Sequence, residues 1–154
     1  MIHHSDIRVA TEQDAVVVGS ALRPYDLLEL RSVTVRPPVD AILDAMRASW
    51  WTRTWEVDGK PVCVFGVASR TFTSDTGCPW LLATPLVERH SAGFMRRIPP
   101  HLNEMRAMFR VLENHVLADN NRTVKWLERL GFVMGDPKPW GRLELPFRRF
   151  ELRS

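Results

Sequence analysis

The sequence predicts an α/β domain with a mixed, mostly antiparallel central sheet and helices on both faces. Three observations predict it. The hairpin signal Asp58-Gly59 separates two strand-like segments, Trp50–Val57 and Pro61–Ser69. Downstream, apolar segments of strand length alternate with segments of helical period, the order of a β-α-β crossover appended to a meander. The chain has 154 residues, 45% hydrophobic and 25% charged, which suits one globular domain over residues 1–154.

The elements follow in order. Ile7–Ala10 is a short strand, and Thr11-Glu12-Gln13-Asp14 opens a helix that runs to Leu22. Arg23-Pro24-Tyr25-Asp26 opens a second helix with proline in its first turn. Asp26 and Glu29 share one face of it, and Arg36-Pro37-Pro38 ends it. Val39, Ile42, Leu43 and Met46 recur at helical spacing and predict a third helix to Ser49. After the hairpin, Arg70–Pro79 reads as loop and Trp80–Thr84 as a buried strand. Pro85–Phe109 is helical in tendency and broken at Pro99-Pro100. Leu112–Ala118 is a strand and Phe132–Met134 begins another. Gly135–Gly141 reads as a loop, and Leu143–Leu152 as a last strand interrupted at Pro146.

Composition narrows the function classes. No run of about 18 apolar residues exists, and the first residues lack a basic region followed by an apolar one, so a cytoplasmic protein without a membrane span is expected. Cys63 and Cys78 have no CxxC or CxxH companion, so no metal site is expected, and Cys63 reads as a small core residue. The formal net charge is +3 and arginine dominates lysine. The clusters Arg89/Arg96/Arg97 and Arg148/Arg149/Arg153 are either solvated, internally paired faces or the footprint of an anionic partner. No specific nucleic-acid motif is present. Adjacent Trp50 and Trp51 cannot both point inward from one strand, so one of them is expected at a rim or an interface.

The segment Asn120-Asn121-Arg122-Thr123-Val124-Lys125-Trp126-Leu127-Glu128-Arg129-Leu130-Gly131-Phe132 is the most specific signal. Asn120 can cap a helix, Val124, Leu127 and Leu130 with Trp126 form its apolar stripe, and Gly131 can take the left-handed conformation that ends it. The segment resembles the last conserved block of the GNAT acyltransferase fold, N-x-x-A-x-x-x-Y-x-x-x-G-F, and the element order is the one expected of that fold over nearly the whole chain. A narrower resemblance covers most of the length. Leu22-Arg23-Pro24-x-Asp26-x-x-Glu29, Val64-Phe65-Gly66-Val67, Pro79–Thr84, Trp126-Leu127-x-x-Leu130-Gly131-Phe132 and Phe147-x-x-Phe150 occur in this order in a family of small proteins of short-tailed phages. Those proteins are labelled acetyltransferases or internal virion core proteins.

The resemblance implies acetyl-CoA as cofactor if the chain is an enzyme. A working site would run along Leu82, Ala83 and Thr84, with Arg89 and Asn120 at its ends, where the strands Leu82–Thr84 and Leu112–Ala118 are expected to diverge. Two departures argue against catalysis. GNAT enzymes cradle the pyrophosphate in (Q/R)-x-x-G-x-(G/A), but Arg89 is followed by Ala92 and Phe94 where that pattern has small residues. Leu127 stands at the position of the usual tyrosine general acid, and the only tyrosine, Tyr25, is far away in sequence. A general base would be Glu29, on the helix that borders the acceptor cleft, or Asp26, or His115. The ordinary alternatives are a solvated or Arg23-paired face for Asp26 and Glu29, and a hydrogen-bonded structural role for His115.

Two functions are therefore expected. One is a virion-associated or assembly protein of a phage that keeps the acetyltransferase-like fold, is catalytically degenerate and needs no cofactor. The other is an active acetyl-CoA-dependent N-acyltransferase acting on a phage or host amine. The first implies a phage structural protein or a second copy as partner, and residence in the host cytoplasm with incorporation into the virion.

Overall fold

The computed structural model describes residues 3–69 and 71–154. The strands are β1 (Ser5–Val9), β2 (Ser49–Val57), β3 (Lys60–Ala68), β4 (Thr76–Ala83), β5 (Val111–Leu117), β6 (Val133–Met134), β7 (Lys138–Trp140) and β8 (Leu145–Arg153). The helices are α1 (Glu12–Gly19), α2 (Pro24–Val33), α3 (Pro38–Ala48), α4 (Leu86–Arg89), α5 (Ser91–Arg97), α6 (Pro99–Met108) and α7 (Asn121–Arg129).

One sheet holds the order β1-β2-β3-β4-β5-β8-β6, with β7 also paired to β8. Every pairing is antiparallel except β4–β5. Side chains on one face of the sheet meet α4–α7 in the main core, around Trp55, Phe65, Phe94, Leu112 and Trp126. A smaller core on the opposite face joins Ala15, Val18 and Ile42 to Val64 and Leu82. The mixed sheet with helices on both faces follows from this.

Local chemistry accounts for most of the elements. Thr11 caps α1 and accepts from the Asp14 amide, while the Asp14 carboxylate accepts from the Thr11 amide, a reciprocal capping box. Asp14 is buried and also accepts from both terminal Arg8 guanidinium nitrogens (2.7 and 2.9 Å) and from the Thr54 hydroxyl (2.8 Å), tying α1 to β1 and β2. The β2–β3 turn has positive φ at both Asp58 (51°) and Gly59 (78°), the geometry that suits the twist of a two-residue hairpin. Asn120 caps α7 by accepting from the Thr123 amide, and Gly131 ends it at φ 101°.

Several boundaries differ from the sequence reading. α1 stops at Gly19 rather than Leu22, with Ser20 as its C-cap; at the α1–α3 crossing a Cβ on Gly19 would come 2.9 Å from the Val39 side chain. Thr76–Pro79, read as loop, is the start of β4, since Thr76 and Gly77 pair with β5 and residues 78–79 pair with β3. Within Gly135–Gly141, residues 138–140 form β7. Pro146 does not interrupt β8, because its carbonyl still accepts from the Ala118 amide and its missing N–H falls just past the last β5–β8 pair, Leu117–Phe147. The helical stretch 86–108 divides into three short helices, with a break at His90 as well as at Ile98, just before Pro99.

A register shift between Ser49 and Trp51 resolves the tryptophan pair. Trp50 is 48% exposed. Trp51 turns inward against Phe65, with the Arg53 guanidinium 3.9 Å from its ring.

Candidate functional site

β4 and β5 pair only at Thr76–Val111 and Gly77–Leu112, at the start of each strand. Beyond that point they diverge, as expected, and the Asn114 side chain bridges the widening gap to the Pro79 carbonyl at 2.8 Å. By Ala83 and Leu117 the sheet is split. Alternation along each strand fixes which backbone groups face the split. Thr84 donates to Val62 on the β3 side, so the Ala83 amide and carbonyl look the other way. Ala118 donates to Pro146 on the β8 side, so the Leu117 amide looks toward β4.

α2 fills these positions. The Ala83 amide donates to the Asp26 carboxylate at 2.9 Å, and the Ala83 carbonyl accepts from the Arg23 amide at 2.8 Å. Across the split the Leu117 amide donates to the Glu29 carboxylate at 3.0 Å. Pro24 starts the helix at its first position, and the three-residue spacing then aims Asp26 and Glu29 along one line. One face of α2 thus spans the opening and satisfies both strand ends.

The charges are built for burial. Arg23 and Asp26 are each 1% exposed and form a bidentate pair (2.9 and 2.9 Å). The Arg23 guanidinium also reaches the Thr123 hydroxyl (3.4 Å), the Glu88 carboxylate (3.5 Å) and the Trp126 ring (5.6 Å), so α2, α4 and α7 meet on it. Burial acts to lower its pKa, and Asp26 raises it above the ordinary arginine value. Burial pushes the Asp26 carboxyl up, while Arg23 and the Ala83 amide hold it down. Glu29 has only part of its side chain at the surface and turns its carboxylate inward. Desolvation, reinforced by the charge of Asp26, raises it to about 7, against the Leu117 amide, the nearby Asn120 side chain and the charge of Arg23. The Asn120 amide nitrogen is buried without a hydrogen bond of full geometry among the described residues.

The segment Pro85–Glu88, directly after β4, is occupied too. Pro85 has no N–H. The amides of Leu86, Val87 and Glu88 donate to the Thr84 hydroxyl, the Thr84 carbonyl and the Pro85 carbonyl. Phe94 is buried, with ring centroids 5.7 Å from Trp55 and 5.4 Å from Trp126. Arg89 is exposed. Glu88, pinned by Arg23 and by Arg122 at 3.8 Å, brings a carboxylate to this turn.

The remaining candidates lie apart. His115 stacks on Trp140 (centroids 4.1 Å, interplanar 11°), and burial, with the charge of Arg149, lowers its pKa. Among the described residues no hydrogen bond joins it to Glu29. Leu127 packs partly buried against the main core, and Tyr25 is 39% exposed on α2. Of the residues expected around a cofactor, Leu82, Ala83 and Thr84 line the β4 end, Asn120 sits beside Glu29, and Arg89 points to the surface. Asp26 and Glu29 are neither solvated nor merely paired with Arg23: they are the groups that satisfy the split sheet. Glu88 escaped the sequence reading, since nothing in its neighbourhood marked it as a partner of Arg23. Among the described residues no group of three metal-binding side chains occurs.

The architecture has close counterparts among solved structures. yncA from Salmonella typhimurium, solved with its cofactor acetyl-CoA, superposes with a TM-score of 0.72 at 17% identity, over 97% of this chain and 93% of the other. The ribosomal-protein-alanine N-acetyltransferase of Brucella melitensis gives 0.73 at 16% identity, over 97% and 99%. The acetyltransferase of the GNAT family from Streptococcus pneumoniae gives 0.66 at 13% identity, over 97% and 99%. The fold is that of the GNAT acetyltransferases. At these identities the likeness is one of fold. No family model matches the chain, and no curated protein matches it.

The α2 face occupies the end of the β4–β5 split. Among the described residues no helix is long and apolar enough to cross a membrane.

Proposed function

We propose that this chain is a GNAT-fold protein that works by binding a partner and not by acetyl transfer. The observation that carries this reading is the engagement of Ala83 and Leu117 by Arg23, Asp26 and Glu29. A cofactor arm threaded through the split needs free backbone groups on the strand edges, and at Ala83 and Leu117 those groups are already taken. To seat it, α2 would have to release the Ala83 and Leu117 backbone groups, break the contacts of Arg23 with Thr123 and Glu88, and uncover the buried Arg23–Asp26 pair. The diphosphate end fits no better. The amides of Leu86, Val87 and Glu88 are internally bonded, and the Glu88 carboxylate brings negative charge beside them, which disfavours a dianion. Leu127 in place of tyrosine removes the usual proton donor.

The phage resemblance supplies the setting: a virion-associated or assembly role, with a phage structural protein or a second copy as partner. The exposed Trp50, braced by its Nε1 donation to Ser69 (2.7 Å) and its edge contact with Phe109, is a preordered aromatic of the kind that anchors interfaces. Isothermal calorimetry with acetyl-CoA tests the reading. Absence of saturable heat in the micromolar range is expected, and micromolar affinity overturns it.

The second reading, an active N-acyltransferase, draws on the acetyltransferases among the fold's counterparts and on Glu29, a carboxyl raised to about 7 beside the split and so tuned for proton transfer near neutrality. It requires α2 to withdraw from Ala83 and Leu117 when acetyl-CoA binds. Turnover of amine acceptors by the purified protein, lost in Glu29→Gln, is the result that would favour it.

A further inference from the structure

A recess of about 380 Å³ lies away from the split, between the C-terminal end of α2, the corner leading into α3 and the β7–β8 turn. Leu27, Val35, Pro37 and Leu143 give it an apolar lining, and Arg31 and Arg142 contribute guanidinium groups. Val35 is 79% exposed and Leu143 46%, so the apolar surface is open to a partner. The recess is preformed. The Arg142 amide donates to the Ser32 carbonyl and its Nη1 to the Arg31 carbonyl, both at 2.7 Å. Gly141, at φ 78°, lies so close to α2 that a Cβ there would meet the Ser32 oxygen at 2.6 Å.

Charge decides what the recess can hold. A third lining arginine, Arg36, is compensated by Asp44 at 2.9 Å. Arg31 and Arg142 form no ion pair among the described residues, and no Asp or Glu lines the recess. Arg142 rests on the carbonyl end of α2, where the helix dipole favours a cation. Two guanidiniums without a carboxylate partner, beside open apolar surface, repel an amine and attract a carboxylate, which arginine can hold in bidentate fashion.

We propose that this recess docks an acidic, apolar segment of a partner protein, with Arg31 and Arg142 pairing its carboxylates and Val35, Pro37 and Leu143 covering its apolar side chains. The proposal extends the binding function to a defined surface and is independent of the split, so acetyl-CoA calorimetry and the experiment below can fail separately.

The test is fluorescence anisotropy on the full chain with a fluorescein-labelled peptide alternating glutamate and leucine, beside its lysine–leucine counterpart. The acidic peptide should bind, the basic one should not, and added salt should weaken the complex. Arg31→Glu should weaken it at least tenfold. Arg31 is exposed, so the circular dichroism and unfolding midpoint of that variant should stay those of the parent. Leu143→Ser, a change of apolar contact without charge, should weaken it several-fold. Equal binding of both peptides, no binding of either, or indifference to Arg31→Glu overturns the proposal. So does a dimer in sedimentation velocity that Arg31→Glu abolishes, since the occupant is then a second copy of the chain.

Discussion

Replacing Glu29 by glutamine should stabilise the protein at alkaline pH and leave it nearly unchanged at acid pH. The carboxyl is raised from 4.5 to about 7 by desolvation and by Asp26. A group whose folded pKa lies above its unfolded value favours folding while protonated. Its contribution is complete below about 4.5 and is lost as the pH rises through about 7. Each tenfold change in proton affinity corresponds to about 1.4 kcal/mol, so folding should be about 3 kcal/mol less favourable at pH 8 than at pH 4 on account of this group alone. Glutamine keeps an oxygen that can accept from the Leu117 amide and carries no charge at any pH. Differences between the two side chains that do not depend on pH cancel in the comparison. The assay is urea unfolding of parent and variant at pH 4, 6 and 8. The variant should gain about 3 kcal/mol relative to the parent between the extremes, or roughly 6–12 °C in midpoint for a chain of this size. A stability difference that stays flat from pH 4 to pH 8 would mean that Glu29 is solvated and does not face the strand ends, and the reasoning would fail.

Other variants probe the same frame. Arg23→Ala should cost about 3–5 kcal/mol in unfolding free energy, because it leaves the Asp26 carboxylate buried without its partner. Asp14→Asn should cost about 2 kcal/mol or more near neutral pH by breaking a buried network. Burial acts to raise the Asp14 carboxyl, but Arg8 and the bonds to Thr11 and Thr54 bring it to about 2, so the parent's advantage should fade as the pH falls from about 4 toward 2. Trp50→Ala should leave the unfolding midpoint in place yet weaken assembly with a partner by about 2 kcal/mol or more, read by co-sedimentation.

The sequence was most informative where local chemistry decides the outcome. The Asp58-Gly59 hairpin, the capped α1 and the Asn120–Gly131 helix depend on neighbours a few residues apart, and each formed where its signal lay. Boundaries governed by distant contacts did not show. Nothing in Thr76–Pro79 announces that β3 and β5 will recruit it into β4, and nothing in Gly19 tells that Val39 will press on it. The site divides in the same way. The divergence of β4 and β5 followed from the fold. The face shared by Asp26 and Glu29 was legible from their spacing, but its partners, the backbone amides of Ala83 and Leu117, lie 57 and 88 positions away. A backbone donor leaves no trace in side-chain identity, so the sequence could name the carboxylates without naming what they bind.

The most direct test of an occupied split is to watch the two strand-end amides themselves. In an ¹H–¹⁵N spectrum the Ala83 and Leu117 N–H groups should be protected from exchange, and their resonances should stay in place as acetyl-CoA is added to millimolar concentration. Rapid exchange at both sites, or saturable shifts that report acetyl-CoA displacing α2, would contradict the account and return the chain to the working acetyltransferases.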